Sequence, residues 1–218
     1  MLAYLLENWL GLTGLISGLL CVWLLIRENV LTFPIGLFYA VVTVVVMARN
    51  QLYADVLLNV YYVLMNAYGW YFWTYGLKEP AEAVRQKHPP RITWMPAPYR
   101  WPVAATILAG SGAMGWYFAS YTDAALPYPD SFTTVTSFVA MWMSARKYLE
   151  SWGLWLIVNI LTVVLYLYKA ADDSQLYLYA VLYGVYIVMA FQGWFSWRRR
   201  MLADAPASDG LASAERSP

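Results

Sequence analysis

The feature that most constrains the fold of this chain is a series of seven long apolar runs separated by short polar segments. The runs cover about residues 8–26, 30–48, 54–73, 101–120, 131–145, 152–168 and 175–197. A helix needs roughly 20 mostly apolar residues to cross a bilayer. Only 12% of the 218 residues are charged, against about a quarter in soluble domains. We therefore predict an all-α membrane protein with seven transmembrane helices.

The basic residues predict the orientation of these helices, because loops rich in Lys and Arg stay in the cytoplasm. With seven spans, 12 of the 14 Lys and Arg residues fall on one side of the membrane, and only Arg49 and Lys169 fall on the other. We expect the N-terminus to lie outside and the C-terminus to lie in the cytoplasm.

The chain also repeats itself. An offset of 124 residues places the Gly-Trp-x-x-Trp motif at 69–73 on the same motif at 193–197. An offset of 119 places Trp23 on Trp142, and the arginines four residues further on also coincide. The first three spans therefore repeat as the last three, and the fourth is a single helix between them.

This repeat predicts a 3+1+3 organisation. Its parts are a first three-helix repeat over 8–74, a cytoplasmic loop over 75–100, a linker helix over 101–120, a second repeat over 130–197 and a disordered cytoplasmic tail over 198–218. Because one helix separates the repeats, they point the same way and are related by an axis along the membrane normal. Two facing bundles leave a cleft near mid-membrane, which is typical of transporters.

Polar side chains inside the spans are candidates for this cleft, because they are costly in contact with lipid. We predict substrate-binding roles for Asn59, Tyr62, Asn66, Trp155, Asn159, Tyr183, Tyr186 and Gln192. The residues in spans three and six recur at helical steps of three and four, so each set shares one face. Aromatic rings beside amides and hydroxyls suit a flat heteroaromatic solute with a hydroxyl-bearing part, and ring faces also attract a cation.

Other interpretations of these residues stay open. The asparagines could join helices by hydrogen bonds. For Trp73 and Trp197, near the cytoplasmic ends of their spans, we favour an aromatic belt at the membrane interface. The chain has one cysteine, Cys21, and one histidine, His88. No catalytic constellation appears, and we expect neither a metal nor a cofactor.

Several motifs resemble those of the PnuC family of vitamin transporters. The residues Leu52-Tyr53-Ala54-Asp55, followed by the motif at 69–73, resemble the third-helix signature of that family. The segment from Trp142 to Trp155, with Ala145-Arg146-Lys147 and Glu150-x-Trp152 inside it, looks like the signature of the second repeat. The resemblance covers roughly residues 10–200 and brings Trp142 into the predicted binding site.

The resemblance implies a multi-pass protein of the bacterial inner membrane with a SWEET-like 3+1+3 plan, assembled as a homotrimer. It implies facilitated diffusion of nicotinamide riboside by alternating access, with phosphorylation inside the cell supplying NAD synthesis. Two positions depart from the pattern of the riboside members: Met141 stands where many carry Gln, and Asn159 where they often carry Asp.

Several functions remain open at this stage. Relatives in the family carry thiamine or riboflavin, so thiamine or another flat vitamin is the alternative solute. A membrane-embedded receptor or lipid enzyme is the alternative from a different class. The charges are few and lie in short clusters, so we expect no nucleic-acid partner.

Overall fold

Seven helices account for most of the residues described in the computed structural model, which are 9–49, 53–76, 90–170 and 176–204. They are α1 (Trp9–Ile26), α2 (Thr32–Arg49), α3 (Tyr53–Tyr75), α4 (Ala97–Tyr121), α5 (Pro127–Ala145), α6 (Ser151–Lys169) and α7 (Leu176–Ala203). In these residues the nearest approach to a sheet is one isolated bridge between Thr93 and Tyr148. The predicted all-α fold with seven helices is confirmed.

Three predicted boundaries differ from the structure by three residues or more. The linker helix α4 begins at Ala97 rather than at 101, and α5 begins at Pro127 rather than at 130. Helix α7 continues to Ala203, so residues 198–203 are helical and not part of a disordered tail. In this added segment Arg200 forms an ion pair with Glu28 at the end of α1. Residues 77–89 of the predicted loop and 205–218 of the predicted tail lie outside the described residues.

The outer surfaces of the helices suit a lipid environment. The segments Ser151–Lys169 and Tyr177–Ala203 are long and apolar enough to cross a membrane, yet only 22% and 17% of the 18-residue apolar stretch in each is buried. A core helix of a soluble protein would be apolar because it is buried. Here the apolar side chains, Leu161 and Val181 among them, point outward.

The packing of the helices follows the predicted repeat. In the first unit α2 packs on α1 and α3, and in the second unit α6 packs on α5 and α7. The two units meet through α1 against α7 and through α3 against α5. The repeat makes α1 equivalent to α5 and α3 equivalent to α7, so these are two copies of one contact. The linker helix α4 packs on α5.

Equivalent turns join the two units at the predicted cytoplasmic end. Glu28 after α1 and Lys147 after α5 both have left-handed backbone conformations, with φ of 55° and 57°. In both turns the following amide reaches back over five residues, from Asn29 to the Leu24 carbonyl and from Tyr148 to the Met143 carbonyl, at 2.9 Å. These are Schellman caps, which usually carry glycine at the left-handed position.

Charged side chains in these turns explain why glycine is absent. Lys147 Nζ lies 2.8 Å from Glu28 Oε2, so the two equivalent residues bind each other across the axis. Arg200 Nη1 contacts the other oxygen of Glu28 at 2.9 Å. A left-handed residue other than glycine costs of order 1–3 kcal/mol, and this ion pair offsets that cost.

Trp73 and Trp197 each extend from their own three-helix unit into the other unit. The indole N–H of Trp197 donates to the Leu25 carbonyl at the end of α1 at 3.1 Å, and that of Trp73 donates to the Ala145 carbonyl at the end of α5 at 3.0 Å. Both side chains are buried, and their rings lie 6.1 Å apart. The aromatic-belt interpretation of these two residues is therefore wrong, because each indole caps a helix end of the other unit.

The glycine of each Gly-Trp-x-x-Trp motif makes room for a ring of the preceding helix. A Cβ on Gly193 would lie 2.5 Å from three atoms of the Trp152 indole, and a Cβ on Gly69 would overlap the Phe33 ring. Phe33 and Trp152 are themselves equivalent under the offset of 119. Each ring also packs edge to face on the second Trp of its motif.

We predict that Gly193→Ala destabilises the protein by about 1–3 kcal/mol, because the new methyl group overlaps the Trp152 indole. For a chain of this size that energy lowers the melting temperature by roughly 2–4 °C per kcal/mol, measurable by thermal unfolding in detergent. Gly112→Ala is the control, since its Cβ would meet no atom within 4 Å. Equal melting temperatures for the two variants would contradict this account of the motif.

Candidate functional site

The main cavity lies between the two repeats and has a volume of about 430 Å³. All helices except α4 contribute to its lining. Seven of the predicted binding residues line it: Asn59, Tyr62, Asn66, Trp155, Asn159, Tyr183 and Tyr186. We call this space the central cavity.

The other two predicted residues lie elsewhere. Trp142 packs edge to face on Tyr148 at 5.8 Å, in an apolar cluster that includes Val103 of the linker helix. Its neighbour Met141 lines the central cavity instead, because consecutive residues of a helix point about 100° apart. Gln192 is exposed on the outer surface of α7 and does not line the central cavity. The structure therefore does not place these two residues in the site.

Two buried amides stand out in the central cavity. Asn66 and Asn159 are 7% and 6% exposed. Asn66 Nδ2 donates to the Tyr62 carbonyl at 2.8 Å, which fixes the amide plane. The amide packs beside Gly36, where a Cβ would lie 2.5 Å from Asn66 Oδ1. A buried amide left without partners is costly, so these groups are suited to hydrogen bonds with a polar solute.

The cavity is asymmetric although its scaffold has two equivalent halves. Trp155 occupies the position equivalent to Gly36, and Asn159 occupies that of Ala40. The indole N–H of Trp155 donates to Ser144 Oγ at 3.0 Å, so this ring is held in one orientation. The repeat thus supplies a large or polar group on one side and a small residue on the other.

Other residues of the lining were not predicted from the sequence. Among them are Gly18, Cys21, Gly36, Tyr39 and Ser144. The internal repeat contained a signal for Gly36, since it is the counterpart of the predicted residue Trp155. Cys21 and Ser144 carry no such signal, because their side chains are small and occur in apolar runs.

The central cavity is closed at the predicted cytoplasmic end. Phe33 and Trp152 line it there and belong to the same buried cluster as Trp73 and Trp197. The ion pair of Glu28 and Lys147 ties this end together. Among the described residues that line the central cavity none is charged.

At the opposite end the central cavity adjoins a second cavity of about 410 Å³, which we call the outer chamber. The two share Tyr62, Trp155, Asn159 and Tyr183. The outer chamber reaches Asp130 and Lys169, whose side chains form an ion pair at 3.0 Å. The path from the central cavity thus leads away from the predicted cytoplasmic end.

Comparison with known proteins gives consistent matches over nearly the whole chain. The family model described as nicotinamide mononucleotide transporter matches residues 8–199. The nicotinamide riboside transporter PnuC of Escherichia coli (strain K12) is 30% identical over 183 residues, covering 73% of this chain and 74% of that protein. The riboflavin/roseoflavin transporter RibM of Streptomyces davaonensis is 28% identical over 214 residues, covering 91% of this chain and 92% of that protein.

The fold is also that of a solved structure. The crystal structure of the vitamin B3 transporter PnuC matches with a TM-score of 0.67 and 23% identity, covering 93% of this chain and 86% of that one. Paired three-helix units with a cavity between them define a membrane transporter. The chain belongs to the nicotinamide mononucleotide transporter family, and the predicted resemblance to PnuC is confirmed.

We predict that Asn66→Leu and Asn159→Leu each weaken solute binding roughly 5- to 30-fold, the equivalent of about 1–2 kcal/mol for one lost buried hydrogen bond. Titration calorimetry of the purified protein with nicotinamide riboside measures the change in Kd. Gln192→Leu removes an amide from the outer surface and is the matched control, with Kd unchanged. Unaltered binding in both cavity variants would show that these amides do not contact the solute.

Proposed function

We propose that this protein carries nicotinamide riboside across the bacterial inner membrane by facilitated diffusion. The observation that carries the proposal is the central cavity, which combines aromatic rings and buried amides with no charged side chain among its described lining. Its volume falls within the range of about 300–1,000 Å³ typical of small-molecule sites. The names of several relatives support the same solute.

The uncharged lining favours a nucleoside over a nucleotide. A phosphate group needs a cationic partner, usually Arg or Lys, when it leaves water. The central cavity offers neither among its described residues. The pyridinium ring of nicotinamide riboside is a cation, which the ring faces of Trp155 and Tyr183 can receive, while Asn66 and Asn159 suit the carboxamide and ribose hydroxyls.

Transport requires the closed end to open. The two units meet through equivalent contacts, so a rocking motion about their common axis would separate Glu28 from Lys147 and expose the cavity to the cytoplasm. No gradient is needed, because a kinase that phosphorylates the solute inside the cell removes it from the equilibrium. NAD synthesis then uses the phosphorylated product.

The proposal includes an orientation and an assembly. The N-terminus lies outside and the C-terminus in the cytoplasm, supported by 12 of the 14 basic residues on one side. A homotrimer is supported by the family resemblance. A riboflavin-like solute is the second candidate, because the similarity to the riboflavin/roseoflavin transporter extends over 91% of this chain. Thiamine, which is a flat cation like nicotinamide riboside, is a further alternative.

Uptake into proteoliposomes tests the proposed function. Vesicles with a nicotinamide riboside kinase and ATP inside should accumulate labelled nicotinamide riboside, and vesicles without the kinase should only equilibrate with it. The mononucleotide should enter at the rate of protein-free vesicles, because the cavity has no counter-charge for its phosphate. Riboflavin and thiamine are measured in parallel, each with its own kinase inside.

Each outcome decides a separate part of the proposal. Absence of nicotinamide riboside uptake, with riboflavin or thiamine entering, would move the function to that vitamin. Uptake of the mononucleotide would contradict the argument from the uncharged lining. Accumulation that needs a proton gradient and no kinase would contradict facilitated diffusion.

A further inference from the structure

The outer chamber differs in chemistry from the central cavity. Four serine and threonine side chains line it: Thr133, Thr134, Ser137 and Thr162. The first three lie on α5, and Thr162 faces them from α6. The chamber is therefore a polar space inside the membrane-spanning part of the second repeat, next to the predicted solute site.

The α5 hydroxyls present acceptors rather than donors to the chamber. Thr134 Oγ1 donates to the Asp130 carbonyl at 2.8 Å, and Ser137 Oγ donates to the Thr133 carbonyl at 2.7 Å. Thr133 Oγ1 also donates to the Asp130 carbonyl, at 2.9 Å. A hydroxyl has one hydrogen, so its remaining lone pairs can only accept. These three oxygens favour a solute that carries hydroxyl donors and positive charge.

The first repeat lacks two of these hydroxyl groups at described positions. The counterparts of Thr133 and Ser137 are Gly14 and Gly18. Tyrosine rings fill the space beside them, since a Cβ on Gly14 would lie 2.7 Å from Tyr39 Oη, and one on Gly18 would lie 2.5 Å from Tyr186 Oη. Among the described residues, these two hydroxyl groups are thus particular to the second repeat.

The outer chamber lies between the exposed surface of the protein and the central cavity. The side chains of Lys169 and Asp130 at its mouth are 33% and 42% exposed. Inside, the Tyr166 ring lies 5.6 Å from that of Tyr183, which also lines the central cavity. Aromatic faces therefore continue from the mouth to the central cavity.

We propose that the outer chamber is a first binding station, which holds a cationic, hydroxyl-bearing solute before it moves into the central cavity. The solute hydroxyls donate to the threonine and serine oxygens, and its positive ring lies against Tyr166 and Tyr183. Lys169 already neutralises Asp130, so the station binds weakly enough to release the solute. The identity of the solute rests on the proposed function, because nicotinamide riboside has both features.

Reaction of introduced cysteines tests whether the chamber is an open, cation-preferring passage. The background is Cys21→Ser, which removes the one native cysteine. Thr162→Cys lies in the chamber, and Thr43→Cys is its counterpart in the first repeat, outside both cavities. Two membrane-impermeant methanethiosulfonates are applied to proteoliposomes, one with a trimethylammonium group and one with a sulfonate, and each rate is divided by its rate with a free thiol.

We expect Thr162→Cys to react at least about five times faster with the cationic reagent than with the anionic one on this normalised scale, and Thr43→Cys to react far more slowly with both. Thr134→Cys, on the opposite wall, serves as a second reporter if Thr162→Cys does not fold. Equal rates for the two reagents, or no reaction in the chamber, would overturn the proposal whichever solute the protein carries.

Transport kinetics test the station itself. We expect Thr134→Val to lower kcat/KM for nicotinamide riboside uptake several-fold while the equilibrium Kd changes by less than a factor of two. Thr122→Val is the matched control, because Thr122 Oγ1 donates to the Phe118 carbonyl in the same way, at 2.7 Å, but on the exposed end of α4. If wild-type protein carries the riboside and the two variants behave alike, the station is wrong. If wild-type protein carries no riboside, the proposed function fails, and the two reagent rates still decide the nature of the chamber.

Discussion

The ion pair between Glu28 and Lys147 is the contact on which the rest of this structure depends. It joins residues that are equivalent in the two repeats, and both hold backbone conformations that favour glycine. Lys147 also lies 4.3 Å from the centre of the Trp73 ring, so the ion pair packs together with Trp73 and Trp197 in one cluster. Because this cluster connects the helix ends of both repeats, it closes the central cavity at that end. The path to the outer chamber stays open at the other end.

The asymmetry of the cavities arises where equivalent positions carry different residues. The glycines of the two motifs, with their packed rings, and the two capped turns are alike in both repeats and support the scaffold. Trp155 against Gly36, Asn159 against Ala40 and Ser137 against Gly18 are unlike, and all six residues line the cavities. A symmetric pair of bundles therefore encloses an asymmetric cavity, which suits the proposed solute with its flat end and its polar end.

Much of this could be predicted from the sequence, because hydropathy and internal repetition report directly on helix number and order. Periodic polar positions in α3, α6 and α7 identified seven of the twenty residues that line the central cavity. The burial of Trp73 and Trp197 could not be predicted, since their positions near span ends fit a lipid interface equally well and only tertiary packing shows which way they point. The same limit applies to Trp142, which faces the linker helix, and to Gln192, which faces outward. Left-handed turns at Glu28 and Lys147 were hidden because neither residue is glycine.

Cross-linking of the two equivalent turns tests the central claim, that the units must separate at this end for transport. Glu28→Cys and Lys147→Cys are combined in the Cys21→Ser background, and a cleavable bifunctional thiol reagent is added to proteoliposomes that take up nicotinamide riboside. Uptake should stop on cross-linking and return when a reductant cleaves the link, while each single-cysteine variant is unaffected by the reagent. Uptake by the cross-linked protein at the rate of the untreated protein would contradict the account.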